Sequence, residues 1–143
     1  MESIWKDVTR LGVIKINKIS EISDCIYGNG IENEVINQAE KELNLEFSNS
    51  YREYLQEYGS AIIEGHELTG LGIVEHTNVI KVTKEHKKNC TSSREDIYVL
   101  EDANIDGIVI WQASNGEVFR SVNGSDFVNI ANDLQEYIDT ICE

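Results

Sequence analysis

The stretch SYREYLQEYG, residues 50–59, holds three of the six tyrosines of the chain and ends on a glycine. At helical spacing one face of this stretch would carry Tyr51, Tyr54, Leu55 and Tyr58. Such rings either form a binding surface or fill a core. A ring-bearing face of this kind is usually buried, with the hydroxyls reaching its rim. The stretch therefore predicts a core helix that defines the fold, and its closing glycine is a typical helix stop.

A second helix is predicted immediately before this one. Apolar residues recur at every fourth position between Ile31 and Leu43, and its first turn is acidic, which suits the helix dipole. After a short break, either Ser48 or Ser50 can cap the tyrosine helix. Ser50 with Glu53 would make a capping box.

The first thirty residues are less regular. Trp5, Val8 and Leu11 lie at helical spacing and predict a short amphipathic helix. Residues 13–30 fit a strand, a ragged helix or an ordered loop. The sequence does not separate these three.

After the tyrosine helix the chain changes to short β-rich runs. Strands are predicted within residues 60–74, 96–102, 107–113 and 118–122, and a surface helix within 78–89. The Asn-Gly pairs at 115–116 and 123–124 indicate hairpin turns.

A closing helix is indicated by Leu134, Tyr137, Ile138 and Ile141, with Asn132 and Gln135 as a capping pair. This order predicts an α+β fold with N-terminal helices, a mainly antiparallel meandering sheet and a closing C-terminal helix. At 143 residues we expect a single domain spanning 1–143.

Charge is the extreme property of the composition. The chain has 26 acidic and 12 basic residues, for a formal net charge of −14. Between Ile97 and Glu143 nine acids accompany one base, whereas the segment 81–94 is basic. Such a field opposes nucleic-acid binding, which depends on Lys and Arg at phosphates. It either keeps the protein soluble or steers a basic partner.

The sequence offers no catalytic or cofactor-binding motif. The three histidines are ten residues apart, and His86 with Cys90 makes at most half a metal site. Glu101, Asp102 and Asp106 could bind a cation or act as an acid–base pair, although acidic loop residues are usually solvated. We therefore expect no catalytic residue, no cofactor, no metal and no enzymatic activity.

The expected location is the cytoplasm. The first twelve residues carry charges where a secretory signal would be apolar, and no run approaches the roughly 18 apolar residues of a membrane span. Three widely spaced cysteines are typical of reduced thiols. A membrane partner is not expected.

Residues 34–72 resemble the SUKH superfamily of fungal cell-wall-assembly regulators and bacterial immunity proteins. The matching residues are Val35, Ile36, Ala39, Glu40, Leu43 and Leu45, then Phe47-Ser48, then Tyr51, Tyr54, Leu55, Tyr58 and Gly59, and finally Ile62, Ile63, Gly65, Leu68 and Gly70. The family has a proline where this chain has Ser48, which supplies a capping hydroxyl instead. With the later strands and closing helix, the resemblance covers about residues 31–142.

The resemblance implies a non-enzymatic binding domain. Its bacterial members neutralise a cognate toxin encoded beside them, often a nuclease, by covering its active site. A basic nuclease cleft would suit the acidity of this chain. Two alternatives are a regulatory interaction module of the cell-wall-assembly-regulator type and a small enzyme that uses the cluster of Glu101, Asp102 and Asp106.

Partner contacts are expected at acids near strand ends and turns, because loops held by a rigid sheet commonly carry binding. The predicted partner-binding residues are Glu64, Glu67, Glu101, Asp102, Asp106, Trp111 and Glu117. Trp111 lies inside an apolar strand, so it is either a core residue or an interface anchor.

Overall fold

The computed structural model describes residues 16–22, 24–72 and 74–142. The α-helices of this part are α1 (Asn33–Leu43), α2 (Asn49–Glu57), α3 (Val79–Lys87) and α4 (Leu134–Ile141). The strands are β1 (Cys25–Tyr27), β2 (Ala61–Ile63), β3 (His66–Leu68), β4 (Ile97–Asp102), β5 (Ile108–Ala113), β6 (Val118–Val122) and β7 (Ser125–Ala131). Short 3-10 helices span Ile16–Glu21 and Glu75–Thr77.

The strands form two antiparallel sheets. One has the order β1-β2-β3 and the other is the meander β4-β5-β6-β7. Thr69, just after β3, joins the two sheets, because its backbone N–H donates to Leu100 O at 2.7 Å and its hydroxyl to Val99 O at 2.8 Å. The predicted α+β fold with a closing helix is confirmed.

For residues 13–30 the sequence did not distinguish a strand, a helix and a loop. The described part of this segment contains the first 3-10 helix and strand β1. The amphipathic helix predicted from Trp5, Val8 and Leu11 lies outside the described residues.

The tyrosine face of α2 is core, as its spacing predicts. Tyr51, Tyr54 and Leu55 are fully buried, and Tyr58 is 3% exposed. Their hydroxyls are used internally: Tyr51 donates to the Thr69 hydroxyl and Tyr54 to the Thr69 carbonyl, both at 2.8 Å. Burial raises the pKa of the Tyr51 and Tyr54 hydroxyls well above the usual value for tyrosine. The rings hold the helix against the sheets.

The helix caps differ in detail from the sequence expectation. Ser48 is the N-cap of α2 and accepts from Tyr51 N at 3.1 Å. The capping box proposed for Ser50 and Glu53 is wrong, because the helix begins at Asn49 and Ser50 already lies in its first turn.

The cap of α4 is also shifted by one residue. Asp133 accepts from Glu136 N at 2.8 Å, and Glu136 accepts from Asn132 N at 2.6 Å. The pair expected at Asn132 and Gln135 is therefore wrong, since the extended residue that precedes the helix is Asp133. The arrangement resembles a capping box, except that Glu136 reaches the backbone N–H of the residue before the N-cap.

Both Asn-Gly hairpins are confirmed. Asn123 and Gly124 have φ of 52° and 81°, the left-handed pair that a type I′ turn requires between β6 and β7. Gly116 has φ of 103° in the β5–β6 hairpin.

The meander has apolar residues on both faces. Tyr98, Leu100 and Ile110 join the main core with the α-helices, while Val99, Val109 and Trp111 form a second cluster that Val82 of α3 and Phe127 of β7 also contact. A β-bulge decides which residue faces which side. Val99 pairs with Trp111, but Glu101 pairs with Ile110, so Leu100 is the extra residue.

Candidate interaction surface

The bulge at Leu100 reverses the alternation along the end of β4. Glu101 pairs with Ile110 and so turns toward the main core, while Asp102 pairs with Val109 and turns toward the Trp111 side. Two adjacent acids that look equivalent in the sequence therefore have different surroundings. One is structural and the other lies at a cleft.

Glu101 is 4% exposed and bonded on both carboxylate oxygens. Nδ1 of His66 on β3 lies 2.8 Å from Oε2, and the Tyr137 hydroxyl on α4 donates to Oε1 at 2.5 Å. Burial, followed by the charge of Glu101, raises the pKa of Tyr137. The expectation that Glu101 contacts a partner meets a different arrangement: its carboxylate joins β3, β4 and α4, and its side chain is 6% exposed.

Trp111 is also buried, at 1% exposure. Its indole N–H donates to Ser121 Oγ at 2.9 Å, and its ring packs 5.7 Å from Phe127, centroid to centroid. The sequence allowed Trp111 to be either a core residue or an interface anchor, and its surroundings are those of a core residue. A protruding interface anchor needs an accessible ring, and at 1% exposure the Trp111 ring does not protrude.

Beside this tryptophan lies a cleft of about 470 Å³. It is bounded by the end of α3, the β4–β5 loop and the β6–β7 turn. Trp111 and Val109 line its apolar part, and the polar lining includes His86, Asp102 and Asp106. The structure thus brings three of the seven predicted residues, Asp102, Asp106 and Trp111, to one place.

Asp102 and His86 form a pair across the cleft. His86 Nε2 lies 2.8 Å from Asp102 Oδ2, and the side chains are 31% and 35% exposed. The other carboxylate oxygen of Asp102 accepts from Asn104 N at 2.9 Å. The sequence places His86 four residues before Cys90, as half a metal site at most, whereas in the fold His86 pairs with Asp102. Among the described residues no group of three or more potential metal ligands occurs.

The β4–β5 loop, residues 103–107, has an unusual backbone. Asn104, Asp106 and Gly107 have φ of 58°, 55° and 70°, a region in which most side chains are strained. Bonds at both ends hold this geometry: Ala103 N donates to Ile108 O at 3.1 Å, and Asn123 N donates to Gly107 O at 2.9 Å. The loop is thereby fixed to both β5 and the neighbouring hairpin.

This fixed loop displays Ile105, whose side chain is 60% exposed. Asp102 and Asp106 lie on either side of it in the chain, and Asp106 is exposed. Sequence reasoning missed Ile105. The sequence did contain a signal for an exposed apolar side chain here. Ile105 is an isolated isoleucine between acids, in a segment rich in Asn, Asp and Gly that joins two strands.

The other three predicted residues lie elsewhere. Glu64 is exposed in the β2–β3 turn, and Glu67 on β3 is half-buried with His76 Nε2 3.4 Å from its carboxylate. Glu117 follows the β5–β6 turn, 3.5 Å from a guanidinium nitrogen of Arg94. None of the three lines the cleft. The predicted contact set thus divides between separate parts of the surface.

No helix in the described part of the chain has the length and apolar character needed to cross a bilayer. Cys25, Cys90 and Cys142 are all free thiols.

A comparison with known families matches the chain to a family model. This model, described as SMI1-KNR4 cell-wall, of the SUKH group (SUKH_5), matches residues 15–143. A comparison with curated proteins finds no match for the chain. The matched region includes every element described above and extends the resemblance seen in residues 34–72.

Proposed function

The chain belongs to the SUKH family of SMI1-KNR4 type, and from that premise we propose that it is an immunity protein which binds and neutralises a cognate toxin domain. The family as a whole fits an immunity or a cell-wall-regulator role. The proposed toxin is basic, and a nuclease domain fits best because a phosphate-binding cleft must be positive. The proposed action is occlusion, with no bond made or broken.

The observation that carries the proposal is the β4–β5 loop. It combines an exposed apolar side chain, Ile105, with the carboxylate of Asp106 on a backbone held at both ends, and Asp102 lies beside it at the end of β4. A preformed loop loses little conformational entropy on binding, so more of the contact energy appears as affinity. An apolar residue between two acids suits a basic cleft with an apolar floor.

Charge supplies the second part of the mechanism. A net charge of −14 attracts a basic domain over distance and raises the association rate before any contact forms. At contact, Asp102 and Asp106 would take positions that the phosphates of a nucleic-acid substrate otherwise occupy. Ile105 would exclude water from the same site. The toxin then has no room for its substrate.

The test uses the purified chain and the purified product of the gene adjacent to its own. We expect a stoichiometric complex by calorimetry and loss of the toxin's activity in the complex. Ile105→Ala and Asp106→Asn should weaken both effects. Val128→Ala and Glu34→Gln remove another exposed apolar group and an exposed acid elsewhere, and should change neither. Equal loss in the two control variants would contradict the proposed site.

The family description also favours a second candidate, a regulatory interaction module of the cell-wall-assembly-regulator type. It would use the same loop for a partner that is not a toxin. Binding of the adjacent gene product without any loss of that product's toxicity would favour this alternative.

A further inference from the structure

The outer face of the three-stranded sheet is a second feature that the proposed function does not use. Ile26 of β1 lies opposite Ile62 of β2, and Ile62 lies opposite Glu67 of β3. Side chains alternate along each strand, so the neighbouring residues Ile63 and Leu68 point into the core. The three aligned residues therefore form a row across the outer face.

This face concentrates the exposed apolar side chains of the described residues. Ile26 is 69% exposed, Val74 44% and Ile62 36%, and all three line one shallow depression of about 250 Å³. Tyr27, 48% exposed, lies opposite Ala61 with its ring 5.0 Å from that of Tyr58, and lines the edge of the same depression. The three other large exposed apolar residues, Val35, Ile105 and Val128, lie on separate elements. A contiguous apolar patch on a soluble protein marks an interaction site, whereas single exposed apolar residues need no explanation.

Acidic residues lie around this face. Glu67 lines the depression, Glu75 follows Val74 directly, and Asp24 and Glu64 lie at the other end of β1 and β2, where Glu64 N donates to Asp24 O at 2.8 Å. Lys81 lies 3.6 Å from Glu75 and His76 Nε2 lies 3.4 Å from Glu67, so two of these four carboxylates have a basic neighbour. A partner that fills the depression would therefore meet apolar groups in the middle and negative charge around them.

We propose that this outer sheet face, defined by Ile26, Ile62, Glu67 and Val74, docks a protein segment that carries apolar side chains flanked by Lys or Arg. Charge selects this occupant. A second copy of the same chain would bring its own acidic rim and a net charge of −14 against this one, which opposes a symmetric dimer. The inference is independent of the β4–β5 loop and of the identity of the toxin.

The first experiment compares variants of the full chain in the binding assay with the adjacent gene product. Ile62→Asp places a charge in the middle of the face, and Val128→Asp places one on another exposed apolar residue, in β7. We expect Ile62→Asp to weaken binding about tenfold or more, as is usual for a central apolar contact, and Val128→Asp to change it little. Glu67→Lys, which keeps the apolar residues, should weaken it severalfold. Equal affinity of all variants and the unaltered chain would overturn the inference. If substitutions in the β4–β5 loop still weaken the complex in that case, the proposed function stands.

The second experiment does not depend on the toxin. A short synthetic peptide of alternating lysine and leucine is titrated into the isotope-labelled full chain, with a lysine–serine peptide of equal charge as control. We expect saturable shifts of the amide signals of Ile26, Ile62 and Glu67 with the first peptide only. Shifts elsewhere, or the same shifts with both peptides, would overturn the inference. Nuclear Overhauser contacts from Ile62 to residues 1–15 would also overturn the inference, because this chain's own segment would then occupy the face. A dimer abolished by Ile62→Asp would overturn it too, because a second copy would then be the occupant.

Discussion

Tyr137 of the closing helix donates its hydroxyl to the buried carboxylate of Glu101 at 2.5 Å, which ties α4 to the bulged end of β4. This bond explains why one acid in a run of acids belongs to the core. Replacing Tyr137 by Phe would leave that carboxylate oxygen without its donor. We expect a loss of about 1–3 kcal/mol in the free energy of unfolding, the usual cost of an unsatisfied buried group.

Urea unfolding measures this loss. Asp106→Asn is the control, because Asp106 is exposed, and it should change the free energy of unfolding by less than about 0.5 kcal/mol. Equal stability of Tyr137→Phe and the unaltered chain would show that the bond contributes nothing.

The buried tyrosines predict a loss of stability at alkaline pH. Burial raises the pKa of Tyr51, Tyr54, Tyr98 and Tyr137 in the folded state. An unfolded tyrosine ionises at a pH of about 10, so above that pH the unfolded state releases protons that the folded state retains. Stability is therefore fully present below about pH 10 and falls as pH rises further, by about 1.4 kcal/mol per pH unit for each such residue.

Denaturant unfolding between about pH 8 and about pH 11 would show this slope, with absorbance of the tyrosinate reporting ionisation. A free energy of unfolding that stays flat across this range, with native circular dichroism, would contradict the assignment of these tyrosines to the core.

Gly107 tests whether the β4–β5 loop is held in one conformation. Its φ is +70°, and a Cβ added there would lie 2.0 Å from Asn123 Oδ1. Gly107→Ala should cost about 1–2 kcal/mol in left-handed backbone strain, and it should also displace the Asn123 side chain and weaken toxin binding. Gly65→Ala provides the control, since its φ of +83° is equally strained but nothing lies within 4 Å of the added Cβ. If both variants bind the toxin as the unaltered chain does, the loop geometry is not required.

Ser48 makes hydrogen bonds through both its hydroxyl and its backbone N–H at the start of α2. Its hydroxyl caps α2, and its backbone N–H donates to the Tyr98 hydroxyl at 2.9 Å. Ser48→Ala removes the cap alone and should cost about 1 kcal/mol. Ser48→Pro removes both bonds and should lower the melting temperature further. A Ser48→Pro variant as stable as the unaltered chain would mean that the N–H bond has no net value.

The sequence predicted those features that depend on local pattern. The stripe Tyr51–Tyr58 and the turn at Asn123-Gly124 follow from spacing and from left-handed backbone preference, and both occur as expected. The family pattern in the same region led to the family whose model matches residues 15–143.

The burial of Glu101 could not be read in the same way. Its two partners, His66 and Tyr137, lie 35 and 36 residues away, and the bulge at Leu100 that turns it inward has no local signal. For the same reason the sequence did not show that Ile26 aligns with Ile62, since that register joins strands from distant parts of the chain.

The most direct test of the central claim is the association rate of the chain with the adjacent gene product, measured by stopped flow as ionic strength increases. The account predicts a rate that falls steeply with salt, and a lower rate with a shallower slope when Asp102 and Asp106 are both changed to Asn. A rate that responds neither to salt nor to these two substitutions would contradict capture of a basic toxin by the acidic loop.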